Sequence, residues 1–123
     1  MAATHPTLLI ARIVRIIEAT KVNVTTERFA HDAIADALIK DCLDVRREVV
    51  LSPKDRIDIM VDGIGVEVKT GHSRRQIHAQ LVRYAKHNLI TGIVLATGIA
   101  FPASVREIHG KPFRCASLSR GWL

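Results

Sequence analysis

The stretch Arg56–Lys69, RIDIMVDGIGVEVK, decides the reading of this chain. Its centre is Asp62-Gly63, a pair that favours a two-residue hairpin turn because both turn positions need positive φ. With that turn, Val61 faces Ile64, Asp58 opposes Glu67, and Arg56 opposes Lys69. One face then carries Ile57, Ile59, Val61, Ile64, Val66 and Val68, and the other carries Arg56, Asp58, Met60, Gly65, Glu67 and Lys69. A slip of one residue would expose six apolar side chains, so burial fixes the register. The same register brings the side-chain origins of Asp58 and Glu67 to about 5 Å. At an effective dielectric of about 20, two full negative charges there repel by about 3 kcal/mol. A cation between them would remove the repulsion, and paired carboxylates are the hard oxygen ligands that a divalent ion prefers.

The chain has 123 residues, which suits one domain with a single core. Apolar residues make up 48%, which excludes a disordered chain as the starting assumption. A formal charge of +6 favours a polyanionic partner, nucleic acid or an acidic membrane surface. Cys42 and Cys115 have no metal-ligand spacing and are too few for a disulfide framework. With no signal-peptide layout and no apolar run of spanning length, a reduced, cytoplasmic protein with no membrane partner is expected.

Outward from the hairpin, helical periodicity predicts an N-terminal amphipathic helix in TLLIARIVRIIEA, preceded by Pro6. A second helix follows Thr25 or Thr26 as its cap, with Phe29, Ala30, Ala33, Ile34, Ala37 and Leu38 as its buried stripe. VRREVVL reads as a strand. Beyond Lys69, Ser73 and Gln76 form a capping box that opens a helix through RRQIHAQLVRYAKH. GIVLAT, short and uncharged, reads as a fully buried strand, and the tail as a short helix and a last strand. A strand–helix–strand step from Glu67 to GIVLAT implies parallel strands joined by a right-handed crossover. The expected fold class is therefore α/β: a mixed sheet with an antiparallel hairpin and a parallel crossover strand, flanked by helices. Residues 1–22 form the amphipathic helix and linker, 23–97 the core, and 98–123 a C-terminal extension.

Lys69 lies two residues beyond Glu67 and projects to the same side. Two acids and an adjacent ammonium are the parts that metal-assisted phosphodiester hydrolysis needs: a held cation, an activated water, and positive charge at phosphorus. Asp58, the gap to the Glu67-Val68-Lys69 triplet, the hairpin, both neighbouring helices and the following strand together resemble the PD-(D/E)xK phosphodiesterases, the restriction-endonuclease-like superfamily. The likeness spans roughly residues 25 to 97 and is nearest to small Holliday-junction-resolvase-like or phage-type members. Ile57 stands where the family usually has Pro. The resemblance implies a DNA endonuclease using Mg²⁺ or Mn²⁺, selective for junction, flap or nicked DNA. It implies metal ligation by Asp58 and Glu67, with Glu27 on the preceding helix as a further acid, and Lys69 assisting the water. It also implies that Gln80, on the following helix, positions Lys69. One small active site per chain makes a homodimer the expected form for cutting two strands.

Plainer roles stand beside these. Asp58 and Glu67 could pair with Lys69 and Arg56 on a surface hairpin, and Glu27 suits the first turn of any helix. Gln80 could bond a backbone group, and Tyr84 reads as packing. His31, His72, His78, His87 and His109 show no metal spacing. Arg56, Arg74, Arg75, Arg83 and Lys86 are the candidate phosphate contacts, or else a solvated face. Five aromatics offer no base-stacking platform, and no helix-turn-helix or zinc-finger pattern occurs. A non-catalytic nucleic-acid-binding module is the alternative function. An assembly protein working through the first helix and the Gly121-Trp122-Leu123 tail is a third.

Overall fold

A computed structural model describes residues 5–99 and 101–118. The elements run α1 (Pro6–Ala19), α2 (Glu27–Lys40), β1 (Val45–Val50), β2 (Arg56–Val61), β3 (Ile64–Lys69), α3 (Arg74–Ala85), β4 (Gly92–Thr97), β5 (Glu107–Ile108) and β6 (Lys111–Ser117). The strands form one sheet in the order β1-β2-β3-β4-β6-β5. The first three make an antiparallel meander, β4 runs parallel to β3 and to β6, and β5 is antiparallel to β6. This is the mixed α/β sheet expected from the sequence, with α3 as the crossover between β3 and β4.

Each face of the sheet has its own core. On one face, Ile10, Ile13, Val14 and Ile17 of α1 and Ala30, Ile34 and Leu38 of α2 pack on Ile59, Val61, Ile64, Val66 and Val68. On the other, Ile77, Leu81, Tyr84 and Ala85 of α3 pack on Met60, Ile93, Leu95 and Phe113. All of β4 is buried because helices cover both of its faces, as its uncharged sequence requires. Local signals start the helices where they should. Pro6 lies at the start of α1, Thr26 Oγ accepts from Phe29 N–H, and both bonds of the Ser73–Gln76 capping box form. Among the described residues, no helix is long and apolar enough to cross a membrane.

The turn forms as expected, with Asp62 at φ 45° and Gly63 at φ 85°. The short helix expected in the tail does not form. Residues 102–106 are turn and loop, and β5 and β6 are a second hairpin around His109 (φ 51°) and Gly110 (φ 75°). His-Gly takes the same positive-φ pair as Asp-Gly, a turn signal that outweighs a segment too short for helical periodicity. Ile57 is also placed differently from the strict alternation: it belongs to the α3-side core, apart from Ile59. Its side chain lies over Gly65, where a Cβ would collide with it. The Gly121-Trp122-Leu123 tail lies outside the described residues.

Candidate active site

Pairing of β2 with β3 is regular from Val61–Ile64 out to Ile59–Val66. One step further the acids replace the ladder. Val68 N–H donates to Asp58 Oδ2 (2.9 Å), and Asp58 N–H donates to Glu67 Oε1 (3.4 Å). The strands thus part at the position where the carboxylates meet, and each acid takes a backbone donor from that parting. Lys69 Nζ lies 3.2 Å from Glu67 Oε2, with the two side chains only 13% and 2% exposed. The three residues singled out from the hairpin therefore converge.

Their protonation diverges. Burial and the neighbouring Asp58 charge push the Glu67 carboxyl up to about 8, against the pull of Lys69. Burial also acts to raise Asp58, but His31 and the Val68 N–H outweigh it and hold that carboxyl below its ordinary value. Contact with Asp58 raises His31 in turn, although its own burial works the other way. Two nearby carboxylates that cannot both ionise settle by keeping one proton between them.

The side chain that α2 sends to Asp58 is His31, with Nε2 3.2 Å from Asp58 Oδ2. Glu27, expected beside the acids, accepts instead from Thr70 N–H (3.1 Å) and meets His72 Nε2 (2.9 Å). From the other side comes Glu48 of β1. The pairs Arg47–Ile59 and Val49–Ile57 bracket Glu48 and Asp58 as neighbours across the strands. Glu48 has φ 54°, a left-handed conformation that costs a non-glycine residue about 1–2 kcal/mol. His31, Glu48 and Asp58 each offer a ligand atom within 4.8 Å of the others. Sequence spacing did not reveal this group. The available signals were that His31 follows Glu27 by one helical turn, and that β1 continues the meander in constant register.

Gln80 reaches the acids through an intermediary. Its amide donates to Tyr84 Oη (2.6 Å), and that hydroxyl lies 3.0 Å from the Arg56 carbonyl and 3.5 Å from Glu67 Oε2. So Gln80 touches Tyr84 where Lys69 was expected, and Tyr84 is at once a core residue and a polar contact of Glu67. Of the candidate phosphate contacts, Arg74, Arg75 and Lys86 are exposed on or beside α3. Arg83 pairs with Asp55 (3.2 Å) and Arg56 with Glu48 (3.0 Å). A cleft of about 480 Å³ lined by Arg28, His31, Arg47, Glu48 and Arg56 opens beside the acids. A larger one, about 800 Å³, lies between α1, β6 and the loop after β4, and neither Asp58 nor Glu67 lines it. Comparison with family models, with curated proteins and with solved structures finds no match.

Proposed function

We propose that this chain is a metal-dependent nuclease that hydrolyses DNA phosphodiester bonds at the open end of the β2–β3 hairpin. The observation that carries the reading is the convergence of Asp58, Glu67 and Lys69 where the two strands part. The resemblance to the PD-(D/E)xK phosphodiesterases rests on these same residues. The donor set fits a divalent cation, since two carboxylates meet in a partly buried site where Glu67 otherwise keeps its proton. Asp58 and Glu67 would hold it. Mg²⁺ or Mn²⁺ bound there supplies Lewis acidity toward a phosphate oxygen and lowers the pKa of a bound water.

The chain's own side chains do the rest. Lys69 Nζ, fixed by Glu67, orients the attacking water and offsets charge gathering on the phosphoryl oxygens. Tyr84, itself held by Gln80, limits the movement of Glu67. Glu27 ties Thr70 and His72, just past the lysine strand, to α2. Arg74, Arg75 and Lys86 offer charge to the flanking phosphates without reading bases. A homodimer would present two such sites to the two strands of a duplex or junction.

The test is incubation with labelled linear, nicked, flapped and four-way-junction DNA in Mg²⁺, Mn²⁺ or EDTA. We expect cleavage that EDTA abolishes and that Asp58→Asn, Glu67→Gln and Lys69→Ala each reduce by about 10²–10³-fold or more. Binding without cleavage under every metal would replace this reading with a non-catalytic DNA-binding module.

A further inference from the structure

We propose that His31, Glu48 and Asp58 form a second metal position beside the Asp58–Glu67 pair, selective for a borderline divalent ion such as Zn²⁺ or Mn²⁺ over Mg²⁺. Three observations converge on it. First, His31 Nε2 is fully buried and faces its ion-pair partner, Asp58 Oδ2, at 3.2 Å. An ion with bonds of about 2.1 Å places adjacent ligand atoms about 3.0–3.4 Å apart, so the two atoms stand at the separation of two ligands of one ion. Second, the nearby Glu48 carboxylate completes a set of three ligand atoms within 4.8 Å. Third, His31 and Glu48 line the cleft of about 480 Å³, which gives an entry path and room for water at a remaining coordination position.

The ligand set decides the metal. Mg²⁺ takes oxygen donors and retains its water, whereas imidazole nitrogen favours first-row transition ions. One nitrogen and two carboxylates leave an open position of the kind found at catalytic zinc. The Arg56–Glu48 ion pair competes for the site, but the Arg56 side chain is 66% exposed, and a pair so open to water contributes little. Arg47 is drawn aside by Asp32 at 2.6 Å. Asp58 would serve both positions, so occupancy of one bears on the other.

The site can be read without any nucleic acid. The full chain is titrated calorimetrically with Zn²⁺ in saturating Mg²⁺, which on the proposed function would occupy the Asp58–Glu67 position. We expect one tight event that weakens at least tenfold in His31→Gln and in Glu48→Gln. It should weaken less in Glu67→Gln than in either of these, and stay within about threefold of wild type in the surface control His78→Gln. Glu48 lies on the exposed edge strand, so its variant keeps the core intact if His31→Gln is poorly folded. Co²⁺ added to the wild type should give visible absorption bands of a nitrogen- and oxygen-ligated ion, absent in His31→Gln. Wild-type affinity in both His31→Gln and Glu48→Gln would overturn the proposal. So would equal loss in Glu67→Gln, which would mean a single shared site. Cleavage plays no part in these readouts, so failure of the nuclease reading leaves them interpretable, and their failure leaves that reading standing.

Discussion

Without a cation, Glu67 keeps its proton well above the ordinary carboxylate range because burial and the Asp58 charge both oppose ionisation. Its folded value lies above its unfolded one, so the folded state binds more protons over that interval. Stability from this group is full below the unfolded value of about 4.3 and falls as pH rises toward about 8. His31 is raised too and loses its contribution in the same direction. In EDTA, the melting temperature should therefore drop between pH 5 and pH 8, and Glu67→Gln should remove most of that slope. A metal-free melting curve that rises across this interval would contradict the assignment. Glu48 gives a second check at this scale. Relieving its left-handed backbone by Glu48→Gly should leave stability unchanged or raise it by up to about 1 kcal/mol in urea titrations, while removing the carboxylate. Asp58, Glu67 and Lys69 were legible in the sequence because a turn and a period of two fix their faces. His31 and Glu48 were not, because their approach depends on how α2 and β1 lie against the hairpin, which no local spacing records.

Among the elements, the β2–β3 hairpin shows what the alternation rule captures and where it stops. Turn and register form as the sequence implies, yet Ile57 crosses to the α3 side, where Gly65 leaves room for it. Gly65→Ala should cost about 1–3 kcal/mol in a denaturant titration by overpacking against Ile57. Adding Ile57→Val removes the methyl that collides and should recover part of the loss, which a double-mutant cycle would register as coupling between the two sites. If Gly65→Ala is neutral, the close packing described for this hairpin is wrong. The β5–β6 hairpin was harder to foresee. Its His109-Gly110 turn carries no asparagine or aspartate, and β5 is only two residues long, so period-two alternation had nothing to act on.

Over the whole molecule the formal charge is +6, and two groups of basic side chains stand out. Arg28, Arg47 and Arg56 line the cleft beside the acids, and Arg74, Arg75 and Lys86 stand exposed on or beside α3. If the α3 group meets DNA phosphates, the triple alanine variant should flatten the dependence of log affinity on log salt by up to about 2.7. An unchanged slope would assign these residues to a solvated face. The fold class was legible because crossover topology follows from element order, whereas which basic side chains stay unpaired was not, since ion pairs such as Arg83–Asp55 depend on tertiary packing.

The packing of α1 has a consequence in time. Its apolar face lies in one core with Ala116 and Leu118, at the far end of the described chain, and Glu18 accepts from Ser117 N–H at 3.0 Å. A ribosome delivering this protein therefore releases the first helix long before the strand that covers it. Until β6 arrives, Ile10, Ile13 and Ile17 have only part of their burial, and the helix waits on a contact nearly a hundred residues away in the chain.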